Sequence, residues 1–160
     1  MDDLSKLIEE RAITRLLYDY SYALDMNRPS EMASLFVDEC KVSYAPNFAA
    51  EGMVAYKKTL EGIGTFFRAT SHHNSNICID FIDDTEANVR STVLAIHRYA
   101  KERPDGVLYG QYFDRVIKAD QLWKFKSREL RTSMATDYHV RQSNPIGRAQ
   151  LEAERIHGEP

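Results

Sequence analysis

The chain has little cysteine, glycine or proline and no long apolar run. Cys40 and Cys78 are the two cysteines in 160 residues. A pair is too few for a disulfide framework, and its spacing fits no metal site. Both read as thiols kept reduced in a cytoplasm, which is the expected location. No stretch approaches the ~20 apolar residues of a membrane-spanning helix. The start, M-D-D-L-S-K, has neither the basic end nor the apolar stretch of a signal peptide. A net charge of −3 gives no basic footprint for nucleic acid or anionic lipid, so neither nucleic acid nor membrane is expected as a partner. Catalytic signatures are also missing. There is no G-x-S-x-G and no H-E-x-x-H, and G-I-G at Gly62 lacks the third glycine and the preceding strand of a phosphate loop. Neither a metal site nor a cofactor is expected.

What is present is ordinary for one globular domain with a sizeable core: 43% hydrophobic and 28% charged residues. Nine tyrosines, seven phenylalanines and Trp123 supply the lining of a pocket for an apolar or ring-shaped ligand. Leu4, Leu7, Ile8, Ile13, Leu16, Leu17, Tyr20 and Leu24 recur at helical spacing and predict a helix over 4–26. A short second helix is expected over 30–37, capped by Ser30. Alternation over 40–44 predicts a strand, 46–50 a loop, and 51–68 a third helix weakened by Gly62 and Gly64. From Thr70 the pattern changes to long strands over 70–81, 86–101, 107–118 and 122–134. Turns at Pro104-Asp105-Gly106 and Ala119-Asp120-Gln121 make these hairpin neighbours, so the sheet is expected to be mostly antiparallel. The layout is α+β: three N-terminal helices packed on a curved sheet whose concave side encloses a pocket, with the first helix as its floor.

Two places break the local rules. The strand T-S-H-H-N-S-N-I-C-I-D-F (70–81) opens with polar residues where Val or Ile would be usual. Alternation puts His72, Asn74 and Asn76 on one face and His73, Ser75 and Ile77 on the other. A polar row on an inward face costs free energy unless it is hydrogen-bonded, so it implies a pocket; the alternative is a strand start facing solvent. Asp25 sits in the last turn of the first helix, at the negative end of the macrodipole, at a cost of roughly 0.3–1 kcal/mol. It implies a function there, or else a surface turn begun by Asp. Brought together, an Asp and a His suit general base catalysis. Tyr44, Asn76, His97, Tyr99, Tyr109 and Tyr112 are candidates to touch a ligand. Aromatics on strands are more often core or cross-strand pairs, His97 fits a core histidine, and Trp123 reads as core.

The segments Y-S-Y-A-L-D (20–25), S-H-H-N-S-N (71–76), G-Q-Y-F-D-R-V (110–116) and L-W-K-F-K-S-R (122–128) resemble the SnoaL-like branch of the nuclear transport factor two-like superfamily. That branch includes scytalone dehydratase, hexachlorocyclohexane dehydrochlorinase and bile acid dehydratase. The resemblance covers residues 4–135 and implies a cone-shaped barrel. It implies one SnoaL-like domain over 1–140 and a tail, 141–160, as a cover for the pocket. It further implies a cofactor-independent lyase, a dehydratase or dehydrohalogenase. Asp25 would orient a histidine that takes a proton from a small hydrophobic, cyclic substrate. His72 fits the family spacing to Asn76, and His73 is the competing assignment, because a bulge would exchange the faces. Tyr20 and Arg131 match a tyrosine and a pocket-facing arginine of some members. A homo-oligomer, dimer or trimer, is expected. The alternatives on this fold are an isomerase or cyclase, a ligand-binding protein, and a subunit like the small subunit of ring-hydroxylating dioxygenases.

Overall fold

The computed structural model describes residues 1–45 and 48–138. Helix α1 (Asp3–Asp25) is started by Asp2, whose carboxylate accepts the Ser5 N–H. Its apolar contacts with the core begin at Ile13, although Glu9, nearer the start, accepts hydrogen bonds from Lys118 and Trp123. Ile13, Leu16, Leu17, Tyr20 and Ala23 are buried, whereas Leu4, Leu7 and Ile8 stay more than half exposed. The apolar periodicity of the sequence therefore overstates the buried face.

The second helix is shorter than its sequence implies. Pro29 takes the first position of α2 (Pro29–Ser34), where its fixed φ costs nothing. Arg28 thus stands at the cap, and Ser30 caps nothing. Phe36 and Val37, expected in this helix, begin strand β1 (Phe36–Ala45), because Phe36 pairs in parallel with Phe125. Part of the expected loop is strand β2 (Phe48–Glu51), with Ala49 and Ala50 opposite Ser43 and Val42. Helix α3 (Met53–Phe66) then starts after Gly52, whose φ of 79° suits glycine alone. It stops before Phe67, which pairs with Tyr99. At Phe36 and Phe67 pairing with a distant strand overrides a local helix preference, whereas β2 is held by its hairpin neighbour β1.

The four long strands are β3 (Phe67–Phe81), β4 (Glu86–Tyr99), β5 (Gly106–Ala119) and β6 (Leu122–Thr136). Together with β1 and β2 they form one sheet in the order β2-β1-β6-β5-β4-β3. The β1–β6 pair is parallel and the rest are antiparallel, so the sheet is mixed but mostly antiparallel, as expected. Its edges, β2 and β3, do not pair with each other. The sheet is thus open, where the family resemblance implied a barrel.

α1 lies across the inner face of the sheet. Leu16, Leu17 and Tyr20 meet Val89, Val93, Leu108, Val116 and Phe125 in a continuous core. Each fully buried apolar side chain contributes about 1.5–3 kcal/mol. Tail residues 141–160 lie outside the described residues, and among those described no helix is long and apolar enough to cross a membrane.

Candidate active site

Two bulges decide which side chains face α1. In β3 the register slips between Ser75 and Cys78, with Asn76 at φ 50°. The slip lies beyond the histidines. His72 and Asn74 therefore stay on the inner face, and Ile77 joins them instead of following His73. The second slip, opposite Arg115 and Val116, makes Lys126 the extra residue of β6. It turns Arg128, Leu130 and Thr132 inward and leaves Arg131 outside.

Asp25 ends α1 directly beneath the start of β3. Its carboxylate accepts three hydrogen bonds: from Thr70 Oγ1 at 2.8 Å, from the His72 main-chain N–H at 2.9 Å, and from His72 Nδ1 at 2.6 Å. Burial pushes the carboxyl up, but the hydrogen bonds and imidazole of His72, with the Thr70 hydroxyl, outweigh it and hold it below the ordinary range. An ionised carboxylate accepts only, so Nδ1 carries a proton, and in the neutral tautomer this fixes, the lone pair is on Nε2. The His72 side chain is 5% exposed and that of Asp25 is 24% exposed.

His72 lines a pocket whose empty space, open solvent at the mouth included, is about 600 Å³. The walls are mostly apolar and aromatic: Phe48, Phe66, Phe67, Tyr112, Leu130 and Tyr138 among them. The His97 ring stands edge-on to His72, with centroids 5.1 Å apart, and packs on Phe67 and Tyr138. Tyr20 and Tyr44 also line the cavity. Tyr20 donates to the Tyr44 hydroxyl at 2.6 Å, and Tyr44 and Tyr56 share a hydrogen bond of 3.1 Å. Burial, chiefly, pushes all three phenols well above their ordinary range, so each remains a neutral donor. Tyr112 is pushed up to about 12 by burial, which the nearby Arg128 charge partly offsets.

Behind Tyr20 and Tyr112 lies a fully buried ion pair. Arg128 binds Asp114 through two bonds, at 2.9 and 2.8 Å, and neither side chain has any exposure. Its guanidinium sits 4.0 Å from the Tyr20 and Tyr112 ring centres and 4.2 Å from that of Phe125. Nη1 has no partner among the described residues. Burial opposes the charge, but Asp114 outweighs it and keeps Arg128 ionised; burial pushes the Asp114 carboxyl up against the pull of Arg128.

Of the expected residues, Tyr20, Tyr44, His72, His97 and Tyr112 line the cavity, with Asp25 behind His72. The others lie elsewhere. His73 is exposed, and its Nε2 lies 3.0 Å from Ser71 Oγ, because alternation turns it outward. The bulge turns Asn76 outward, toward Thr92. Tyr109 is 41% exposed on the outer face of the sheet. Tyr99 is buried beside the cavity and donates to the Asp137 carbonyl rather than lining the space. Arg131 pairs with Glu129 and lies over Phe113 on the outer face.

The sequence reading passed over Thr70, Tyr56, Asp114 and Arg128. A signal for the last two was available: an acid in Y-F-D-R and a base in F-K-S-R on successive strands. Among the described residues no group of three His, Cys, Asp or Glu could hold a metal ion.

The fold is α+β, with an acid–imidazole pair at the wall of an aromatic cavity. The chain belongs to the family of the SnoaL-like domain, whose model matches residues 5–129. It is 74% identical to a protein of Novosphingobium aromaticivorans DSM 12444 named "Putative Scytalone Dehydratase", over 91% of this chain and 98% of that one, with a TM-score of 0.88. It also shares its fold with hexachlorocyclohexane dehydrochlorinase LinA-type3 of Novosphingobium barchaimii LL02, at 18% identity over 90% and 99% of the two chains and a TM-score of 0.77. A second dehydrochlorinase, LinA, aligns at 20% identity over 91% and 99%, with a TM-score of 0.79. Comparison with curated proteins gave no match.

Proposed function

We propose that this protein is a lyase of the dehydratase or dehydrohalogenase type, acting on a small hydrophobic, cyclic substrate with its own side chains as the catalytic groups. The observation that carries the reading is the 2.6 Å contact between His72 Nδ1 and Asp25 Oδ1 at the wall of an aromatic cavity. With Nδ1 tied to the carboxylate, Nε2 is the basic atom. It takes a proton from a carbon of the substrate, and Asp25 stabilises the imidazolium that forms. The C–H electron pair becomes the new double bond as the neighbouring hydroxide or halide departs. Tyr44 meets the oxygen on which negative charge develops. His97, 5.1 Å from His72, stands beside the leaving group. The names of the relatives support elimination over other chemistry on this fold, the 74% identical one above all.

The test is a panel of deuterated cyclic alcohols, ketones and halides, followed for loss of deuterium and for product. Wild type is compared with Asp25→Asn, His72→Ala and His73→Ala. Turnover lost in the first two variants and kept in the third supports the reading. Turnover indifferent to all three sinks it in favour of a binding role, and rearranged products without loss of a group would make the enzyme an isomerase or cyclase.

A further inference from the structure

Tyr56 stands outside the cavity, on α3, and is completely buried. Among the described residues its hydroxyl meets one hydrogen-bonding group, the Tyr44 hydroxyl. We propose that Tyr56 is a positioning residue: it donates its proton to Tyr44 and thereby fixes Tyr44's own proton toward the cavity. This rests on the reading that Tyr44 meets a substrate oxygen.

The direction follows from accounting for protons. A phenol has one proton to donate and an oxygen that accepts. Tyr20 already gives its proton to Tyr44. If Tyr44 gave its own to Tyr56, the Tyr56 proton would be buried with no acceptor among the described residues, an arrangement that native structures avoid. With Tyr56 as donor, both neighbours spend their protons on the Tyr44 oxygen. The Tyr44 proton is then left with the cavity as its direction. Two accepted hydrogen bonds also polarise the Tyr44 O–H and strengthen it as a donor. Arg128, 4.0 Å from the Tyr20 ring centre, adds positive charge on the same side. The result is a donor aimed before any ligand arrives, which costs no reorganisation during reaction. Tyr56 does this without touching the ligand.

The test uses two probes of one shape: 1-tetralone, which carries a carbonyl, and tetralin, which does not. The carbonyl stretch of bound 1-tetralone is read by infrared spectroscopy, and both affinities by calorimetry. In the wild type the band should lie below its position in hydrocarbon solvent. In Tyr56→Phe it should move part of the way back, with 1-tetralone affinity falling about three- to tenfold and tetralin affinity unchanged. In Tyr44→Phe the downshift should vanish. Replacing Tyr56 by 2,3-difluorotyrosine, which keeps the ring and makes the hydroxyl a stronger donor, should lower the band further.

A Tyr56→Phe band and affinity ratio equal to wild type would overturn the proposal. So would an equal fall in both affinities, which is what a packing role predicts. Should Tyr56→Phe not fold, an unmoved band in the difluorotyrosine protein would overturn it alone. None of these readings depends on turnover, so failure of His72 as the base would leave them unchanged.

Discussion

His72 reaches Asp25 twice, through its main-chain N–H to Oδ2 at 2.9 Å and through its ring to Oδ1 at 2.6 Å. One carboxylate therefore fixes both the strand and the imidazole on it. The ring cannot turn without leaving the acid, and the strand cannot slide without losing its anchor on α1. Positioning and tautomer are set by the same group.

Replacing Asp25 by Asn keeps the shape but removes the charge. Turnover of any substrate found in the deuterium panel should fall by about 10²–10⁴-fold. His72→Ala should lose at least as much. His73→Ala, an exposed substitution, should retain wild-type turnover. Circular dichroism would confirm that each variant is folded; a large loss in His73→Ala would move the base to the outer face.

Acid should weaken the protein partly through Asp25. Its carboxyl lies lower in the folded chain than in the unfolded one. The stability it adds is thus complete above the unfolded value, about 3.9, and is lost as pH falls through the folded value. Urea midpoints between pH 2 and 6 should fall less steeply for Asp25→Asn than for wild type, and parallel curves would contradict this.

Arg128→Met should be the most damaging change away from the dyad, because it leaves Asp114 buried without its partner. The expected cost is about 3–5 kcal/mol in urea unfolding. Adding Asp114→Leu should recover most of it, since a well-packed apolar pair can replace a buried ion pair. A double variant no more stable than the single one would show that the pair does more than neutralise charge.

Arg131→Ala serves as the contrast. Its pair with Glu129 is more than a third exposed on both sides, and its ring contact with Phe113 is on the outer face. Stability should change by less than about 1 kcal/mol and turnover should not change. A large loss of turnover would mean that the outer face contributes to the site.

Much of this was legible in the chain. The helical stripe of α1, the four long strands and the turns between them follow from periodicity and turn chemistry, and the structure reproduces them within one or two residues at most ends. Asp25 and His72 were visible because each breaks a local rule, an acid at the wrong end of a helix and a histidine where a strand wants Val. The errors have identifiable causes. Pro29 took the helix start from Ser30, hairpin pairing with β1 made part of the 46–50 loop a strand, and pairing with distant strands drew Phe36 and Phe67 out of their helices. Arg131 was named from the family resemblance, and the extra residue at Lys126, which sequence does not reveal, turns Arg128 inward and leaves Arg131 outside.

The sequence alone determined the kinds of residue available: aromatic rings for a cavity, an acid and a histidine held in reserve from the core, and secondary structure with the periods to place them. These are local properties, set by side-chain chemistry and backbone sterics within a few residues. Only the tertiary structure decided which of them meet. The register of β3 against β4 turned His72 inward and His73 outward, while the bulges at Asn76 and Lys126 turned Asn76 outward and Arg128 inward. They also put Arg128 under Tyr20, and the packing of α3 brought Tyr56 to Tyr44. Strand register depends on hydrogen bonds between segments far apart in the chain, and a shift of one residue reverses every side chain.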